Sequence, residues 1–140
     1  MLKIRVDLTR FKSQMARNKA LVPKAMRLIV RDVALAAERG SKVQLYPGHG
    51  LVKGDLKRSI RAASSGRFRY NIEPHTDYAS FVETGTGPSP GRFVPGLGKR
   101  ISTGMHPGIK GLHYMSIGAR IAQQKADTIA ERHMKQLFGT

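Results

Sequence analysis

Between Tyr78 and Met115 the chain reads YASFVETGTGPSPGRFVPGLGKRISTGMHPGIKGLHYM. A short apolar-aromatic segment, Tyr78 to Glu83, runs into Gly85-Thr86-Gly87. A stretch dense in Gly and Pro follows, interrupted only by Arg92-Phe93-Val94-Pro95 and Ile101, and it closes on His106-Pro107-Gly108, Gly111 and Tyr114-Met115. In a compact domain, loops beyond roughly 12–15 residues are usually functional or disordered. This stretch divides the chain into two ordered flanks and places function between them.

In the first flank, Leu2, Ile4 and Val6 alternate with Lys3 and Arg5, the pattern of a short half-buried strand. Asp7 or Thr9 then caps a helix. Residues 9 to 39 read as helical, with Phe11, Met15, Val22, Met26, Ile29, Val33 and Ala37 on one stripe. Pro23 predicts a kink, or two helices meeting near Val22. Gly40 is expected to be the C-terminal cap. Residues 41 to 54 form a loop turning at Tyr46-Pro47-Gly48. Asp55 is expected to cap one helical turn, with Leu56 and Ile60 on one face. Residues 60 to 73 read as a hairpin: Ile60 to Ser64, a turn at Ser65-Gly66, and a second strand in which Phe68, Tyr70 and Ile72 alternate against Arg67, Arg69 and Asn71. Asp77 then caps Tyr78 to Glu83, one or two helical turns with Tyr78, Phe81 and Val82 toward the core. A strand is the alternative there.

In the second flank, Leu112 to Leu137 reads as a long helix whose stripe is Met115, Ala119, Ala122, Ala126, Ile129 and Leu137, ended by Gly139. Its alanines permit close approach to a neighbouring element. The fold expected for residues 1–140 is a single α+β domain. A small antiparallel sheet is packed by a long N-terminal and a long C-terminal helix, with a long Gly/Pro-rich loop. So small a sheet leaves an open edge, and open edges invite pairing with another chain.

Charge speaks to partners. The chain carries 25 Lys plus Arg against 9 Asp plus Glu, a net charge of +16. Solubility needs far less; the excess favours a polyanion such as nucleic acid or an acidic protein surface. There is no Cys, hence no disulfide framework and no Cys-based zinc site. No apolar run approaches the length of a membrane span, and MLKIRVDLTR lacks the apolar core of a signal peptide.

Reactive groups form no complete constellation. His49, His75, His106, His113 and His133 show no metal-site spacing. His106 and His113 read as turn histidines bonded to backbone. A metal-dependent hydrolase using His106, His113 and Asp77 is the weakest reading. The serines lack a GxSxG setting, and Gly85-Thr86-Gly87 lacks the strand and GK[ST] of a phosphate loop. Glu83 is expected to form a structural ion pair with Arg92 or Lys99. No enzyme activity, cofactor or metal is expected. The basic residues of the central stretch, Arg92, Lys99, Arg100 and Lys110, suit contact with a phosphate backbone without base readout.

Three pieces of sequence carry a resemblance. Gly54-Asp55-Leu56-Lys57-Arg58-Ser59-Ile60 is similar to a "tGxLrrSI" motif, Tyr78 through Thr86 to "YAxyvExGT", and His106-Pro107-Gly108 with Gly111, Tyr114 and Met115 to "hpGxkgxxFm". In this order they resemble the neck, tail-completion or head–tail joining proteins of long-tailed phages, over residues 8 to 138. The resemblance implies a virion structural protein, assembled in the host cytoplasm, that forms a homo-oligomeric ring of six or twelve subunits at the head–tail junction. Other neck and tail proteins would be its neighbours, and genomic DNA would pass non-specifically through the lumen. The subunit-interface residues expected on this reading are Tyr78, Phe81, Glu83, Gly85, Thr86, Phe93, Pro95 and His106. Those expected near DNA are Arg92, Lys99, Arg100 and Lys110. The alternative is a non-specific DNA-binding protein acting outside the virion.

Overall fold

A computed structural model describes Ile4, residues 19–51 and 53–86, the strand residues 89–90, 93–94, 99–100, 105–106 and 109–110, and residues 111–139. At residues 50–51, at Thr86 and at the strand residues from 89 to 109 the backbone alone is described. The expected first strand and the first part of the N-terminal helix lie outside these residues, apart from Ile4, which packs half-buried against the main core.

The first described helix, α1, spans Leu21–Val43. Pro23 falls in its first turn, where a missing N–H removes no helical hydrogen bond, so the proline sits at a helix start near Val22. At the other end the helix runs past Gly40 to Val43, and Gly40 is no cap. It is buried inside the helix because it faces Gly118 of the C-terminal helix, α4, which spans Tyr114–Phe138. A Cβ on Gly40 would lie 3.2 Å from Gly118 Cα.

α1 and α4 pack antiparallel along their length. Ala25 meets Met134 at one end, and Gly40 meets Gly118 at the other. Between them Ile29, Val33 and Ala37 of α1 share a core with Ala122, Ala126, Ile129 and Ala130 of α4. The alanine-rich stripe expected from the sequence is the surface that lets the two backbones close. Midway, Asp32 joins the helices through polar contacts. His133 Nε2 lies 2.7 Å from Asp32 Oδ2, Arg132 reaches the same oxygen at 3.2 Å, and Arg31 pairs with Oδ1 at 2.9 Å. His133 is thus a buried helix histidine bonded to a carboxylate. Burial pushes the Asp32 carboxyl up, but hydrogen bonds from His133 and Arg31, and their charges, outweigh it and hold the group below its ordinary value.

After α1 the chain turns through a small pairing of β1 (Tyr46–Pro47) with β2 (Gly50–Leu51). Gly48 takes φ +81°, and the rings of Tyr46 and His49 stack at 4.7 Å. The short helix α2 (Asp55–Ser59) buries Leu56, and Ile60 follows it into the core. The hairpin of β3 (Arg61–Gly66) and β4 (Arg69–Glu73) is antiparallel and packs on α1. Its turn is Arg67-Phe68, two residues later than the sequence places it, and the register shifts between Ser64 and Gly66. Ile72 is buried and Tyr70 half-buried, as their alternation predicts. Glu38 of α1 accepts the Ala62 amide at 2.9 Å and the Lys42 ammonium at 2.6 Å, which ties the start of β3 to the helix. The architecture is α+β, with two long helices against a small antiparallel sheet.

Candidate subunit interface

The site grows from α3, the helix Ala79–Thr84. A helix this short turns only one edge inward. Ala79 is buried and Val82 half-buried against the main core. Tyr78 and Phe81, expected on the core side, are instead 47% and 57% exposed. Their spacing of three places them together on the outer edge. With Val43 and Tyr46 they are the exposed large hydrophobics of the described residues. Adjacent exposed aromatics such as Tyr78 and Phe81 are the kind of surface found at contacts.

α3 is fastened to the start of α4. Leu112 N–H donates to Val82 O at 2.9 Å, and His113 N–H donates to Glu83 O at 3.0 Å. Gly111 makes this approach possible, since a Cβ there would lie 2.5 Å from Glu83 O and from Thr84 C. His113 takes φ 52° at the helix start. The Glu83 carboxylate then satisfies the open amides of the first turn of α4. Met115 N–H donates to Oε2 at 2.9 Å, and Ser116 gives Oε1 its N–H at 3.2 Å and its hydroxyl at 2.8 Å. A carboxylate at a helix N-terminus also meets the positive end of the helix dipole. Glu83 is therefore a long-range helix cap. Arg92, one partner expected for it, lies outside the described residues, as does the side chain of Lys99, the other.

Tyr114 sits beneath this junction. Its hydroxyl donates to Ala79 O at 3.2 Å, and its ring is fully buried. Burial first, then the negative charge of Glu83 and the neighbouring Tyr78, push its pKa up to about 12. A notch of about 480 Å³ opens beside it, lined in part by Glu73, Thr76, Asp77 and Glu83. Asp77 and Glu83 both line this notch. A second concavity of about 620 Å³ lies between α1 and α4, with Leu35, Val43 and Ile121 on its walls and Arg39, Lys125 and Arg132 among its cations.

The central stretch leaves from the C-terminal end of α3. Where the sequence reads as a loop, the backbone pairs. β5 (Gly85–Thr86) pairs antiparallel with β10 (Ile109–Lys110), β6 (Ser89–Pro90) with β9 (Met105–His106), and β7 (Phe93–Val94) with β8 (Lys99–Arg100). The pairs nest one inside the next, so the chain runs outward through three strands and back through three. Among the expected interface residues, Gly85 and Thr86 form the foot of this ribbon, while Phe93 and His106 are in its ladder opposite Arg100 and Ser89. Pro95 lies outside the described residues. Of the expected DNA-proximal cations, Lys110 is exposed at the foot, Lys99 and Arg100 are ladder residues, and Arg92 is outside the described residues.

The pattern of the family described as the bacteriophage HK97-gp10 tail component matches residues 7–85, more than half of the chain. The chain belongs to this HK97-gp10-like family. The matched span of this phage tail component runs from before α1 through α3 and stops at Gly85, the first residue of the ribbon. No curated protein and no solved structure matches the chain.

The sequence did not point to the Glu83 cap or to the Asp32–His133 contact. The first joins residues 32 and 33 positions apart, and the second joins residues 101 apart. The available signal for Glu83 was a lone carboxylate placed before a helix with no acidic residue in its first turn.

Proposed function

We propose that this tail component is a ring-forming virion protein of the phage head–tail junction, acting in the neck or in tail completion, with several copies around the DNA channel. The observation that carries the reading is the exposure of Tyr78 and Phe81 at the foot of the ribbon. An isolated two-stranded ribbon is only marginally stable in water. The open ladder edges of β5 to β10 thus favour pairing or packing against a neighbouring subunit. On this reading the subunit contacts comprise Tyr78, Phe81, Gly85, Thr86, Phe93, Pro95 and His106, while Glu83 holds their base in place.

The net charge of +16 supplies the second half of the proposal. Exposed cations line the outer faces of both long helices, among them Lys24, Arg27, Arg31, Arg120, Lys125 and Lys135. A basic ring needs only phosphate contact, which is independent of sequence and weakens with salt. Arg92, Lys99, Arg100 and Lys110 are the proposed DNA-proximal residues of the ribbon. No residue is assigned a catalytic role.

Electron microscopy of purified particles, together with native mass measurement of the isolated protein, tests the proposal. The expected result is a closed homo-oligomer and density for this protein between head and tail. A protein that stays monomeric at all concentrations and is absent from virions would overturn it. Tight, salt-sensitive binding of DNA by that monomer would favour a role outside the particle.

A further inference from the structure

The exposed edge of α3 has a distinctive border. Glu73 ends β4 and Asp77 precedes α3, and both line the notch beside Tyr78. Asp32, Glu38 and Asp55 are held in ion pairs within the chain, and Glu83 caps α4. Glu73 and Asp77 have no cation partner among the described residues. In the same notch Thr76 Oγ1 is buried without a hydrogen-bond partner. A chain of net charge +16 thus keeps, next to the exposed Tyr78, a notch lined by two carboxylates that have no ion pair among the described residues.

The matching chemistry stands at the other end of the same hairpin. The β3–β4 turn carries Arg67 and Arg69, both exposed, with the Arg67 guanidinium 5.2 Å from the centre of the Phe68 ring. Four strand steps of about 3.3 Å separate Arg69 from Glu73, so the two ends lie about 13 Å apart. An arginine both stacks on aromatic faces and pairs with carboxylates, which is what Tyr78, Glu73 and Asp77 together offer. Nucleic acid is disfavoured there, because the carboxylates repel phosphate.

We infer that the occupant is a second copy of this chain, whose Arg67–Arg69 turn seats in the notch between Glu73 and Asp77, beside Tyr78. This rests on the ring reading above and gives the ring its direction. Two different patches meet, so the contact is head-to-tail, the type that closes into rings when its rotation permits. Opposite charges select the partner and its orientation, while Tyr78 buries apolar area.

Charge exchange on the full chain tests it. The double variants Glu73→Lys/Asp77→Lys and Arg67→Glu/Arg69→Glu alter residues at or near the surface that have no ion pair within the chain among the described residues, and circular-dichroism melts confirm that each is folded. By native mass measurement each alone is expected to weaken assembly by about tenfold or more. Mixed in equal amounts they should assemble again, because each altered patch then meets its complement and each native patch meets its own. Tyr78→Ser alone should also weaken assembly. Wild-type rings with both variants still assembling, or a mixture that stays apart, would overturn this seat and leave the ring reading standing. A wild-type protein that never assembles would overturn both, and a closed dimer would overturn the head-to-tail direction.

Discussion

Glu83 accepts the backbone amide of Met115 at 2.9 Å, across more than thirty residues of intervening chain. One carboxylate thereby connects the helix that starts the ribbon with the helix that follows it. Removing it leaves the Met115 and Ser116 amides without this acceptor. Glu83→Ala is expected to lower stability by about 1–2 kcal/mol, the range for a lost N-terminal cap. Glu83→Gln keeps an acceptor but loses the charge at the helix dipole, so its loss should be smaller. Urea unfolding of the two variants separates hydrogen bond from charge; equal losses would assign the effect to charge alone.

Gly118 is the tighter of the two glycines where α1 crosses α4. A Cβ there would run into Ser41 Oγ and would lie 2.6 Å from Ser41 N and 2.7 Å from Ala37 O. Two of these atoms are backbone or fixed by it, so the helices must part. Gly118→Ala is expected to cost about 1–3 kcal/mol, as overpacking does. Gly40→Ala meets its nearest atom at 3.2 Å and should cost less. Thermal melts of both variants check the order.

Tyr114→Phe removes the hydroxyl that donates to Ala79 O while keeping the buried ring. The expected loss is about 0.5–1.5 kcal/mol, with an orphaned carbonyl placing it toward the upper end. Tyrosine absorbance during an alkaline titration adds a second readout. Tyr114 should ionise near 12 and therefore after any tyrosine with an ordinary pKa near 10.

Asp32 and Glu38 make acid stability the informative pH limb. Each carboxyl is pushed up by burial. Asp32 is then pulled lower by His133 and Arg31, and Glu38 by hydrogen bonds from Lys42 and the Ala62 amide and by the nearby cations. A folded pKa below the unfolded value gives stability that is complete above the ordinary values of 3.8 and 4.5 and is lost as pH falls through the folded ones. Asp32→Asn should flatten the fall in melting temperature below about pH 4. An unchanged acid limb would show that the α1–α4 contact titrates elsewhere.

Much of the body was legible because burial imposes periodicity. Ile29, Val33 and Ala37, and Ala122 with Ala126, repeat at helical spacing because they face one another. Ile72 follows strand alternation because its hairpin lies on α1. Gly40 misled, since a glycine near a helix end signals a cap, whereas here it admits another backbone. Tyr78 and Phe81 misled in the opposite sense. Apolar spacing identifies a face but does not say whether this chain or another covers it. The ribbon gave no periodic signal because a ladder is made by backbone groups, which pair without any alternation of apolar side chains.

The foot of the ribbon has a consequence for how such a protein changes over time. Gly85 pairs with Lys110, and Gly111 then abuts the carbonyl of Glu83. Among the described residues the body meets the excursion at this clasp. Residues can be gained or lost in matched numbers on the outgoing and returning strands without moving α3 relative to α4. Reach then becomes an adjustable property, free to follow the dimensions of whatever the ribbon touches, while the packed helices keep their own geometry.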